Sequence, residues 1–140
     1  MKFKILFTII LFIFASLGSA DELRNAVNSK DRSEKNIVRD EFRKPYETLS
    51  FFQLEPNMTI VELSPGGGWY TEILANFVRK SGSLIAAHFS KDSDRAYFRN
   101  SRINFEKKVK ENNLYEKVTV VDLNSKLSDP SSVDAVLTFR

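Results

Sequence analysis

The sequence predicts an α/β fold, a Rossmann-like parallel sheet with helices on both faces. Three observations lead there. Short β-rich runs alternate with helical stretches over short connections. The runs at Ile60-Val61, Leu84 to Ala87, Val118 to Val121 and Ala135 to Leu137 are almost continuously apolar, as strands buried on both faces are. A glycine-rich turn, Ser64 to Gly68, falls where the first strand hands over to the first crossover helix.

Taken in order, the chain opens with Lys2 and Lys4, an apolar run from Ile5 to Phe14 and the small residues Gly18-Ser19-Ala20. That pattern reads as a secretory signal over residues 1–20, so export of the mature chain is expected. The run is short for a bilayer span, which takes about 20 residues, so membrane contact is expected to be transient. Residues 21–33 are polar and without period and read as a flexible arm, and 34–140 as the folded domain. Glu34 to Arg43 carries Ile37, Val38 and Phe42 at helical spacing, and after Pro45 a second short helix carries Tyr46, Leu49, Phe51 and Phe52. Thr59 to Leu63 is the first strand. Tyr70 to Lys80 is a helix with Ile73, Leu74, Phe77 and Val78 on one face, ended by Ser81-Gly82. Leu84 to Phe89 is the second strand. Asp94 to Asn113 is a helix with Tyr97, Phe98 and Phe105 as core residues and Lys107, Lys108, Lys110 and Glu111 on a solvated face. Val118 to Val121 and Val133 to Phe139 complete four strands. Ending on a strand leaves an apolar sheet edge, which soluble domains avoid. The expectation is a chain truncated after the fourth strand, or one whose edge is covered by a missing C-terminal half or another chain.

Composition narrows the function classes. The chain has 21 Lys+Arg against 18 Asp+Glu; without the leader's two lysines the balance is 19 to 18, a net charge of +1. No electrostatic footprint for nucleic acid is expected from that balance. The absence of cysteine and the single histidine argue against a structural zinc site and against disulfides.

The chemistry concentrates at Val61 to Tyr70. Glycines there let the backbone turn tightly and approach a ligand, and the following helix N-terminus offers free N–H groups. A dinucleotide site asks for Gly-x-Gly-x-x-Gly and an acid about 20 residues further on. Here Thr71 stands at the third glycine, and no acid stands near His88. The pattern acid-x-Gly-x-Gly-x-Gly fits better through Glu62, Gly66 and Gly68, with Ser64 in place of the first glycine. With Arg43 to Leu49, the string Pro65-Gly66-Gly67-Gly68-Trp69-Tyr70-Thr71-Glu72, Tyr97 to Arg99 and Val136 to Arg140, the chain resembles a family of predicted, often exported, bacterial methyltransferases of the class I S-adenosylmethionine-dependent superfamily. The resemblance runs from about Glu34 to Arg140, and the family's chains continue beyond that point.

That resemblance implies S-adenosylmethionine as the small-molecule cofactor. Glu62 would sit near its methionine amino end, Ser64, Gly66, Gly67 and Gly68 beneath it, and Trp69 and Tyr70 beside it or in the helix start. His88 stands where an acid usually holds the ribose, and Asp122 and Leu123 stand in the usual place of adenine contacts. Each has a plainer reading: Glu62 bonding its own loop, the glycines merely turning, Trp69 packing, His88 structural, Asp122 a turn residue. The acceptor and any catalytic base are not legible. Two rivals remain open: a non-catalytic ligand-binding or interaction domain on the same scaffold, and a nicotinamide-dependent oxidoreductase fragment.

Overall fold

The computed structural model describes residues 18–139. Most of the expected leader, residues 1–17, lies outside the described residues. In chain order the elements are α1 (helical residues 18–27), α2 (Glu34–Ile37), α3 (Asp40–Arg43), α4 (Pro45–Phe51), β1 (Thr59–Leu63), α5 (Trp69–Val78), β2 (Ser83–His88), α6 (Ala96–Glu111), a 3-10 turn (Asn113–Tyr115), β3 (Val118–Asp122) and β4 (Ala135–Thr138). Among the described residues no helix is long and apolar enough to cross a membrane.

The four strands form one Rossmann-like parallel sheet in the order β3-β2-β1-β4, flanked by helices. The strand order reverses at β1: β2 and β3 build outward on one side and β4 joins on the other. In open parallel sheets the carboxyl ends at such a reversal leave a crevice between diverging connections. Here that point lies beyond Leu63 and Thr138, which are register partners.

Side chains alternate along each strand, so Ile60 and Glu62 share a face with Leu84, Ala86 and His88. That face meets α5 and α6. Nine of the ten residues of α5 are buried, as expected for a helix enclosed on all sides. Enclosure extends to Thr71 and Glu72, whose polar atoms must therefore find partners inside. Cover is less complete on the opposite face, where Val61 is 1% exposed but its neighbour Val136 is 59% exposed.

Several expectations need correcting. The stretch read as a flexible arm is helical through residue 27, and Leu23 and Ala26 are core residues. Leu23, Ala26 and the part-buried Val27 make too short a stripe to stand out among charges. Beyond the helix, Arg32 is buried, donating to the Val27 carbonyl oxygen at 2.6 Å and bidentately to Asp40 at 2.6 and 2.8 Å. The helix expected over Glu34 to Arg43 is two short ones, and Ile37, Val38 and Phe42 point outward. Leu49 and Leu54 are covered as expected, whereas Phe51 is exposed and Phe52 partly so. Tyr97 is also exposed; Phe105 is the buried aromatic of α6.

Candidate functional site at the strand reversal

Ser64 N donates to the Ala87 carbonyl oxygen at 2.8 Å, holding the chain to β2 one residue past the end of β1. The turn then reverses through three residues with positive φ, Ser64 at 55°, Gly66 at 58° and Gly68 at 79°. The glycines differ in what surrounds them. A Cβ on Gly68 would lie 3.0 Å from the Phe105 ring and 3.3 Å from Lys108 Nζ, so this position is closed by packing. A Cβ on Gly66 or Gly67 would meet nothing within 4 Å. Those two glycines face open space.

The residues after the turn each make one specific tie. Trp69 Nε1 donates to the Asn36 carbonyl oxygen at 2.8 Å, which fixes α2 over the turn. Tyr70 stacks on Phe139, with centroids 3.6 Å apart. Thr71 Oγ1 donates to Glu62 Oε2 at 2.6 Å. Glu72 accepts from Ser33 Oγ at 2.9 Å and from Lys108 Nζ at 2.8 Å, and Lys108 also donates to the Gly67 and Gly68 carbonyl oxygens. Lys108 is thus a clamp on the turn, and the solvated face expected for it is wrong at that residue. On the same helix Glu106 pairs with Arg102 and Lys91.

Glu62 is 2% exposed. Burial raises its pKa to about 7 against the lowering effects of the Thr71 bond and the Lys108 charge. For Glu72, burial likewise opposes ionisation, but the bonds from Lys108 and Ser33 outweigh it and hold the group below the usual carboxylate range.

The carboxyl ends of β2 and β3 are built differently. Phe89 N donates to His88 Nδ1 at 2.8 Å, so Nε2 carries the proton and donates to the Gly66 carbonyl oxygen at 3.1 Å. Burial lowers the pKa of this fully enclosed ring, which is consistent with a neutral imidazole. The ligand role expected for His88 therefore gives way to a strut between β2 and the glycine turn: both ring nitrogens are engaged by backbone. Nearby, Leu123 N donates to the His88 carbonyl oxygen at 2.7 Å. Arg102 Nη1 closes over the Phe89 and Val121 carbonyl oxygens at 3.0 and 2.9 Å. Asp122 accepts from Asn124 N at 3.1 Å, and bonds from Ser90 and Asn124 hold its carboxyl below the usual range. Asp122 and Leu123 lie beside His88 but line neither cleft described next.

Two clefts flank the turn and share Gly66, Gly67 and Lys35. One, of about 520 Å³, sits at the strand reversal. Glu62 forms its floor, Trp69, Tyr70 and Phe139 its wall, and Lys35, Arg39 and Arg43 its rim. The other, of about 580 Å³, lies toward α6, between Asn104, Phe105 and Lys108. Of the residues singled out from sequence, Glu62, Ser64, Gly66, Gly67, Trp69 and Tyr70 meet at the first cleft; Gly68, His88, Asp122 and Leu123 do not line it. Sequence reading missed the three rim cations, though their four-residue spacing is a signal for one helical face. It also missed Ser33 and Arg102, whose roles depend on tertiary contacts.

No family model matches this chain, and no curated protein matches it. Among solved structures it is similar to a cyclopropane-fatty-acyl-phospholipid synthase-like protein from Lactobacillus casei ATCC 334, at 16% sequence identity and a TM-score of 0.44. The match covers 75% of this chain and spans 39% of that one.

Proposed function

We propose that the chain is the cofactor-binding part of an S-adenosylmethionine-dependent methyltransferase whose acceptor is unidentified. The observation that carries this reading is the floor of the first cleft. A buried carboxyl group at the end of β1 lies beside Gly66 and Gly67, which present open space at the strand reversal. Glycine without a Cβ lets a ligand approach the main chain, and Glu62 supplies an acceptor for an ammonium group. When bound, the cofactor would supply a sulfonium methyl for in-line displacement. The protein's part is then alignment and exclusion of water, which can supply about 7–11 kcal/mol of barrier reduction. Glu62, Gly66 and Gly67 would hold the methionine end. His88 does not fit a ribose contact, so no residue is assigned to that end. The leader-like N-terminus supports export to the periplasm.

Isothermal titration with S-adenosylhomocysteine tests the reading. Micromolar binding is expected, lost in Gly67→Val. Because a nearby ammonium favours the ionised carboxyl, binding is expected to release protons near pH 7 and to tighten from pH 6 to pH 8. A cooperatively folded chain that binds nothing at either pH would contradict the proposal. A second reading, a non-catalytic binding domain, draws its support from the engaged ring of His88. Binding of S-adenosylmethionine without methyl transfer to any acceptor, by this chain or a longer form, would favour it.

A further inference from the structure

We propose that Lys35, Arg39 and Arg43 form a receptor for an oxyanion, carboxylate or phosphate, on the acceptor, and that the acceptor's apolar body rests on the wall made by Trp69, Tyr70 and Phe139. The acceptor assignment rests on the methyltransferase reading; the oxyanion receptor stands on the cleft itself. The three cations are spaced by four residues across the break between α2 and α3, yet all line the same cleft. None has a carboxylate partner among the described residues. Arg32, close by in the chain, is by contrast committed to Asp40. Arg43 places its guanidinium carbon 4.9 Å from the Trp69 ring centroid, within cation–π range. A guanidinium held by an aromatic ring can still turn edge donors toward a planar oxyanion.

The charge is local. Over the whole chain the cations exceed the acids by only three, 21 against 18, whereas here three cations face one buried acid already bonded to Thr71. A cleft lined by one sign of charge concentrates ligands of the other. The wall is aromatic: Phe139 stacks on Tyr70, and Trp69 and Tyr70 line the cleft although only 5% and 7% exposed. An anion joined to an aryl or acyl body matches both surfaces.

Trp69 is the chain's single tryptophan and lines this cleft, so its fluorescence is a probe of the cleft's occupancy. The test titrates the full chain with phenyl phosphate and with inorganic phosphate. Saturable change is expected with both, tighter for phenyl phosphate, and weakened about tenfold or more in the double variant Lys35→Gln, Arg39→Gln. These two side chains are exposed, so the variant is expected to keep the wild-type melting temperature. No saturable change, or equal affinity in the variant, would overturn the receptor. Repeating the titration with saturating S-adenosylhomocysteine separates the sources of the anion. Simultaneous binding supports an acceptor site. Competition would assign the cations to the cofactor's own carboxylate and overturn the acceptor role. Phosphate binding by a chain that never binds S-adenosylhomocysteine would keep the receptor while removing the methyltransferase reading and its acceptor.

Discussion

The carboxyl end of β1 and the carboxyl ends of β2 and β3 lie side by side in one sheet, but they spend their polar atoms in opposite ways. At β1 the turn leaves Gly66 and Gly67 open, and Glu62 lines a cleft. At β2 and β3 the His88, Phe89 and Val121 carbonyl oxygens are all taken by protein donors, and both nitrogens of His88 are bonded to backbone. One end is left open and the other is closed in a way that holds the first in shape. His88, which the sequence resemblance put at a ligand position, serves here as scaffold.

Substitutions can break that contrast, and the largest effect is expected within the turn itself. Gly68→Val adds a β-branched side chain at positive φ against Phe105 and Lys108, and should destabilise by about 4 kcal/mol in chemical denaturation. Gly67→Ala, which meets nothing, should leave stability nearly unchanged and weaken ligand binding instead. Equal losses of stability at the two positions would erase the distinction between them.

His88→Asp comes next. It places the acid expected of a ribose site at the end of β2, but the carboxylate would be buried, and the donor to Gly66 would be lost. Destabilisation by about 3 kcal/mol is expected, with no gain in affinity for S-adenosylhomocysteine. Tighter binding would show that the β2 end is a ligand site after all.

Glu62→Gln has a smaller and pH-dependent effect. With its folded pKa raised to about 7 from an unfolded value of 4.5, Glu62 stabilises the fold below pH 4.5, and that contribution is lost as pH rises through 7. The glutamine variant should therefore be more stable than wild type by roughly 2 kcal/mol at pH 8 and should lose the slope between pH 5 and 7. His88 works in the opposite direction: its lowered folded pKa makes stability fall as pH drops below 6.5. Melts of the variant across pH 5.5 to 8 should expose that slope, above the range where Glu72, Glu106 and Asp122 titrate. An unchanged wild-type profile in Glu62→Gln would refute the assignment. The smallest effect is expected at Asp122→Asn, which removes a charge but keeps the acceptor oxygen of a surface turn and should change neither ligand affinity nor melting temperature appreciably. A marked loss of affinity there would return the β3 end to the site.

The alternation of strands and helices was legible because sheet strands buried in the centre read as apolar runs, and all four strands lie within two residues of their expected bounds. The N-terminal helix was not legible, because only Leu23, Ala26 and the part-buried Val27 meet the core, a short apolar stripe among polar residues. Ile37, Val38 and Phe42 misled in the reverse sense, since apolar spacing does not say which face is covered. At the site, Glu62 and the glycines stood out because local backbone demands show in the sequence. The strut of His88, the clamp of Lys108 and the seal of Arg102 join residues 13 to 41 positions apart, and nothing local encodes such pairings.

The most direct measurement is NMR mapping of the full chain titrated with S-adenosylhomocysteine. The account predicts the largest shifts at Gly66, Gly67 and the Trp69 indole N–H, with His88 remaining in its Nε2–H form throughout. Shifts centred instead on Asp122 and Leu123, or a change of His88 tautomer on binding, would contradict the division between a ligand-facing β1 end and a sealed β2–β3 end.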